Sequence, residues 1–426
     1  MNQSRRRRGT QLSPSGLRIV QERIDWENLS YEELAGKAEL GTDVVRRLMK
    51  RQAVDRASVI AIAKVLDLRL TDIIESEWEA CPPPELPSIS EEQFYVECPV
   101  VEAQCTEALA KPGALLRIKA PQKMGKTLLM VKLLSQMQPQ AQTAILSFDL
   151  ADKTVFTSLK GFSQWFCAAV SAMLNLENRL SDYWDDILAC NFNINKYFQK
   201  YILMNVESSL VLALDNTDLV FENTDIAIDF CKLLRGWHDQ ARRGDLSSQI
   251  WQKLHLVIVH DTEVYGSLDI NASPLAGVGT VVELPEFEVQ QALQLAQKYQ
   301  ASWNTNQVKQ LMDLVGGHPY LLQSAFEAIR YQNYTVDQIL KTAPTESGIY
   351  RDYLRQLLNS LEQTPELNEA FQKVIAAQEP VLLKPATAFK LHSMGLIKLE
   401  GEKAKSRCRL YTEYFGRAVI EDRKNA

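Results

Sequence analysis

Paired cysteines, clustered histidines and long apolar runs are what this chain lacks. Its seven cysteines, at 81, 98, 105, 167, 190, 231 and 408, are odd in number, scattered, and never in a C-x-x-C pair. That spacing excludes a zinc ribbon or a disulfide frame and points to reduced thiols and a cytoplasmic location. The five histidines also lack metal-ligand spacing. No apolar run approaches the ~18 residues of a membrane span. The start, MNQSRRRRGTQ, carries a basic run, but no apolar stretch follows it, so neither a secretory signal nor a membrane partner is expected. No internal repeat is visible. The net charge of −6 means that any nucleic-acid contact must come from a local basic surface. What is present, 46% hydrophobic and 23% charged residues in a chain of 426, suffices for a large core. Two or three domains are expected at about 150 residues each.

The clearest break is WEACPPPELPSIS at 78–90, because three consecutive prolines cannot sit inside a helix or a central strand. Beyond it, short apolar runs alternate with longer helical stretches: AILSFDL (144–150), SLVLALD (209–215), HLVIVHD (255–261) and TVVELPEF (280–287). That alternation predicts βαβ units and a mostly parallel sheet. After about 288 the spacing of apolar residues is helical. The tail from ATAFKLHSMG onward reads as a helix, two short strands around a polar hairpin, and a helix, the layout of a winged helix. The expected fold is therefore α/β. A parallel-sheet core at 93–287 would be followed by a helical lid at 288–345 and a winged helix at 346–426. Before these come a small all-α helix-turn-helix domain with its basic arm at 1–76 and a proline-rich linker at 77–92.

Residues 115–134, LLRIKAPQKMGKTLLMVKLL, read as strand, loop and helix. The loop is close to G-x-x-x-x-G-K-[ST], with Ala120 where the first glycine would stand. Such a loop turns backbone N–H groups toward phosphate oxygens at the positive end of a helix dipole. Ala120, Pro121, Gln122, Lys123, Met124, Gly125 and Leu128 would form the cradle and its exit. Gly125 would permit the backbone to approach the phosphates. Lys126 would place its ammonium on the β/γ-phosphates, and the Thr127 hydroxyl would bind Mg²⁺. Ala120 governs a turn and Pro121 removes an N–H only at the loop's start, so ATP binding is expected despite both. SLVLALDNTD supplies the second motif, an apolar run ending in Asp215 as a further Mg²⁺ group. Next to it stands Asn216, where many hydrolysing enzymes of this type have Glu; an amide can orient water but cannot take its proton. Asp218 could substitute if the loop bends inward; alternatively, Asp218 and Glu222 begin a solvated helix.

These segments, together with LLRGWHDQAR, LHLVIVHDTEVYGSLDINASPL, LVGGHPYLL, GIYRDYLR and FKLHSMGLIK…RCRLYTEYF, resemble the bacterial AAA-like domain family of signal-transduction (STAND-type) P-loop ATPases. The resemblance runs in order from about 91 to 420. It implies ATP at Lys126 and Thr127, and Asp215 as the Mg²⁺ aspartate. It implies a glycine–histidine–proline turn at Gly316–Pro319 between core and lid, and Thr262 as the γ-phosphate sensor. The family's usual acid after Asp215 is missing, which bears on hydrolysis rather than binding. Arg235 is either a finger reaching a neighbouring subunit's γ-phosphate or an ordinary ion-pair arginine. His318 and Pro319 either shape a turn or touch the nucleotide.

Residues 29–68 have helix-turn-helix spacing. Ser30 caps a first helix with Glu33 completing a capping box; Thr42 opens a second, with Val44, Val45 and Leu48 inward. Its other face shows Asp43, Arg46, Arg47, Lys50 and Arg51, suited to a major groove. Arg5–Arg8 would be a basic arm for phosphate or the minor groove. The unit resembles the helix-turn-helix domains at the N-termini of bacterial conflict-system STAND proteins. The alternative is a protein–protein adaptor, since residues 1–80 are nearly charge-balanced. Three functions stay open: an ATP-driven switch that controls homo-oligomerisation or exposure of the N-terminal unit to DNA or an effector protein; a DNA-binding regulator with a silent P-loop scaffold; and a transposition-type ATPase loaded on DNA.

Overall fold

The computed structural model describes residues 11–68 except 13, 27–28, 39, 53 and 67, residues 94–261 except 139, and residues 275–416 except 302. The Arg5–Arg8 arm, the 77–92 linker and Thr262 lie outside the described residues. The chain forms two compact units, Met1–Glu85 and Leu86–Ala426.

In the first unit four helices, α1 (Pro14–Trp26), α2 (Tyr31–Lys37), α3 (Thr42–Met49) and α4 (Arg56–Val65), surround a small core that includes Val20, Leu34, Val45, Leu48 and Ile62. α2 starts where the sequence dictates: Ser30 Oγ accepts the Glu33 N–H while the Glu33 carboxylate accepts the Ser30 N–H, so two otherwise unpaired donors are satisfied. Val45 and Leu48 are buried and Val44 partly so, while Arg46, Arg47 and Lys50 are exposed.

The second unit opens with α5 (Pro99–Leu109), β1 (Leu115–Lys119) and α6 (Lys126–Met137). It continues through β2 (Gln142–Ser147), α7 (Leu159–Met173), α8 (Cys190–Tyr197), β3 (Leu210–Asp215), α9 (Thr224–Ala241), β4 (Leu254–His260) and β5 (Thr280–Glu283). The five strands form one parallel sheet in the order β2-β3-β4-β1-β5. β3 and β4 are buried along their whole length, as expected for unbroken apolar runs covered by helices on both faces. Because all strands run the same way, the loops after β1, β2, β3 and β4 emerge on one edge, where ligands of such sheets bind. The apolar run at 144–150 is not strand throughout, as the sequence suggests. AILSFDL is strand only to Ser147; Phe148–Leu150 turn into a short 3₁₀ helix, started by the Ser147 hydroxyl accepting the Asp149 N–H.

Beyond the sheet come α10 (Val289–Lys298), α11 (Thr305–Val315), α12 (Pro319–Gln332), α13 (Val336–Thr342), α14 (Arg351–Glu362), α15 (Pro365–Ala376), β6 (Val381–Leu382), α16 (Pro385–Ser393), β7 (Ile397–Glu400) and β8 (Lys403–Ser406). Residues 409–416 are helical. The wing is a three-stranded antiparallel sheet, β6-β8-β7. Its third strand is only two residues long, too short to show alternation in the sequence. Lid helices and wing bury their apolar faces in one continuous cluster that includes Leu321, Phe326, Tyr350, Leu391, Leu396 and Tyr411.

Candidate functional site

The loop after β1 meets the start of α6 through a sharp backbone turn. Gly125 has φ +91° and Lys123 φ +59°. A Cβ on Gly125 would meet no neighbour, so in the structure it is the backbone conformation that calls for glycine there. Ala120 is not among the residues with positive φ, which is why it can replace a glycine. All three donors of the Lys126 ammonium are engaged: Ala120 O at 2.9 Å, Pro121 O at 3.0 Å and Asp261 Oδ1 at 2.7 Å. Asp261 follows β4. The ion pair is well shielded, its side chains 11% and 15% exposed.

The Thr127 hydroxyl lies 3.1 Å from Asp215 Oδ2, so the helix start and the end of β3 bring two hard oxygen donors together. That is a set fit for Mg²⁺. Burial pushes the Asp215 carboxyl upward, with the Thr127 hydrogen bond opposing. Asp218 does bend inward. Its Oδ1 accepts the Asp261 N–H at 2.8 Å, and burial together with the Asp261 charge pushes its carboxyl up to about 7. Glu222 remains exposed.

Asn216 sits at φ +52°, a conformation Asn tolerates better than most residues. Its amide donates to Ser147 Oγ at 3.3 Å and to Asp149 Oδ2 at 2.5 Å. Both partners come from the end of β2, and register explains the meeting, because Ser147 is the direct strand partner of Asp215. Asp149 and Asp261 are the site residues that motif reading passed over. An acid just beyond a strand end, on a strand neighbouring that of Asp215, was the available signal.

His260 is fully buried beside Arg117, and burial, then that charge, pushes its imidazole down to about 3. His318, the residue before α12, is buried with neither ring nitrogen hydrogen-bonded, and burial, then Arg407, pushes it down to about 3. The Gly316–Pro319 turn joins α11 to α12 inside the lid rather than core to lid. Gly316 ends one helix at φ +67° and Pro319 begins the next. Its tie to the core is the Phe287 N–H donated to Gly317 O at 2.8 Å. Lid and wing also reach the loop itself. The Lys123 ammonium lies 4.3 Å from the Tyr320 ring and 5.0 Å from the Tyr353 ring, and Tyr353 and Tyr411 share a hydroxyl hydrogen bond. A Cβ on Gly395 would stand 3.2 Å from Pro121 Cβ. Glu286 bridges core to wing, accepting from Arg407 at 3.1 Å and Lys398 at 2.6 Å.

Beside the loop, an apolar cavity of about 50 Å³ is lined by Phe94, Met124, Leu128, Phe287 and Pro319 among others. Arg235 is half-exposed on α9, 3.5 Å from Asp239, in a surface ion pair. In the first unit Arg46 pairs with Glu32 at 3.4 Å, and Arg51 donates to Leu12 O at 3.1 Å, so Arg51 ties down its own unit.

A family model described as an AAA-like domain matches residues 83–417. No curated protein sequence matches the chain. Among solved structures, the Walker-type ATPase of Pyrococcus abyssi is similar at 11% identity and TM-score 0.53, covering 76% of this chain and 96% of that one. A STAND protein with a tetratricopeptide repeat sensor from Pyrococcus horikoshii matches at 17% identity and TM-score 0.35; the alignment covers 82% of this chain but only 45% of that protein. A replication initiator DnaA, solved with AMPPCP and single-stranded DNA, matches at 12% identity and TM-score 0.39, covering 78% and 91%.

Proposed function

Because the chain belongs to the AAA-like domain family, we propose that its second unit binds ATP with Mg²⁺, hydrolyses it slowly, and changes its lid and wing contacts with nucleotide state. The observation that carries this reading is the convergence of Lys126, Thr127 and Asp215 on one edge of a parallel sheet. Lys126 and the loop amides would hold the phosphates, and Thr127 with Asp215 would hold Mg²⁺, which neutralises charge on the phosphate oxygens. The adenine ring would lie toward Phe94, Met124 and Pro319, whose cavity of about 50 Å³ would have to open to admit it. Switching is supported by the contacts of Lys123 with Tyr320 and Tyr353 and of Pro121 with Gly395, since a loop that rearranges around phosphate must disturb both. Nucleotide-dependent self-association would be the readout. The test is ATP binding and particle size, with and without ATP, in wild type and Lys126→Ala. Wild type is expected to bind and the folded variant to lose binding; equal affinity in the two would sink the site.

We also propose that the N-terminal helices carry the output by binding duplex DNA, supported by the exposed Arg46 and Arg47 on α3 and Lys50 just after it. Binding by the whole protein should weaken steeply with salt and further in the double variant Arg46→Glu, Arg47→Glu. Absence of duplex binding at low salt would leave the effector-protein reading in its place.

A further inference from the structure

The acid missing after Asp215 has a counterpart on the neighbouring strand. Asn216 projects from the end of β3 and donates its amide to Asp149 Oδ2 at 2.5 Å, across 67 residues of sequence. The Asp149 carboxylate therefore lies where the end of a longer acidic side chain at 216 would reach. Three features fix this placement. Ser147 pairs in register with Asp215; the Ser147 hydroxyl starts the turn that carries Asp149; and the same hydroxyl also accepts from the Asn216 amide. With both its donor bonds made, Asn216 keeps a carbonyl oxygen that accepts from no group among the described residues and can orient water. Asp149 is exposed, so water has access to it.

We propose that Asp149 is the catalytic base of the ATPase, supplied from β2 in place of the acid that β3 lacks. The inference rests on the ATP-binding reading of the site. In the step, the water oxygen forms a bond to the γ-phosphorus while the bond from that phosphorus to the β,γ-bridging oxygen breaks. ADP leaves with the electron pair, and the water's proton passes to the Asp149 carboxylate, which later returns it to solvent. Asp218, the other acid close by, is poorly placed for this role. One of its oxygens accepts the Asp261 N–H at 2.8 Å, and Asp261 itself is held by the Lys126 ammonium at 2.7 Å.

The test uses the full chain with MgATP, measuring affinity by equilibrium binding and hydrolysis under single-turnover conditions. A positioned base contributes about 10²–10⁴-fold, so Asp149→Asn should slow hydrolysis by at least about a hundredfold with affinity within about twofold. Added formate, a small carboxylate, should restore part of the rate to Asp149→Ala, which a merely structural role would not allow. Exchanging the pair, Asp149→Asn with Asn216→Glu, should recover turnover, whereas Asn216→Glu alone sets two carboxylates against each other and should gain little. The exchanged variant reports independently should either single variant misfold. Unchanged hydrolysis in Asp149→Asn overturns the proposal, as does tight ATP binding by wild type with no hydrolysis above the solution rate. Failure of wild type to bind ATP at all would instead remove the reading beneath it.

Discussion

Lys126 has three N–H bonds and three acceptors, so a phosphate can reach it only by exchange. The strongest competitor is Asp261, because an ionised acceptor makes the stronger hydrogen bond and the pair is shielded from water. Asp261→Asn should therefore tighten ATP binding, by roughly tenfold if about 1.4 kcal/mol of that competition is removed. Titration of a fluorescent ATP analogue into both proteins checks this, and a weaker variant would mean that Asp261 helps to hold nucleotide. What was legible in the sequence divides along the same line. Lys126, Thr127 and Asp215 could be found because each belongs to a motif a few residues long. Asp261 and Asp149 act through partners 135 and 67 residues away, and their partners follow from strand register, which no local pattern writes down.

At the scale of elements, β3 and β4 were visible as apolar runs because both faces are buried, and α2 because its cap is spelled out by Ser30 and Glu33. The order β2-β3-β4-β1-β5 was not visible, since it depends on how the crossovers pack. The glycine–histidine–proline turn was legible as a turn and misread in its place. It links two lid helices, and the Phe287 N–H donated to Gly317 O ties it to the core. Gly317 is the tight point of that joint, since an added Cβ would come 2.2 Å from Phe287 O and 2.9 Å from Phe287 N, both backbone atoms that cannot rotate away. Gly317→Ala should cost about 1–3 kcal/mol or more, read as a lower denaturant midpoint. Gly401→Ala controls for a glycine with no neighbour within 4 Å, although its φ of +63° carries a conformational cost of its own. Equal losses in the two variants would show that the close approach to Phe287 is not what matters.

For the molecule as a whole, acid should act through histidine. All five, His238, His255, His260, His318 and His392, are held below their ordinary range, with burial the leading cause in each. A group whose folded pKa is depressed binds fewer protons folded than unfolded, so stability is lost as pH falls through about 6.5. Asp215 and Asp218, pushed upward, work in the opposite sense, but they are two groups against five. Unfolding near pH 5 should take up protons, and the urea midpoint should fall between pH 7.5 and 5. A midpoint that rises over that interval would refute the assignment of buried neutral imidazoles. The shared apolar cluster of lid and wing has a different kind of consequence, for anyone who would cut the chain. A fragment ending after the lid would leave Leu321 and Phe326 without Tyr350, Leu391, Leu396 and Tyr411, and so would present a wet, sticky face in place of an interior. Lid and wing must be expressed, crystallised and moved together, as one piece of cargo.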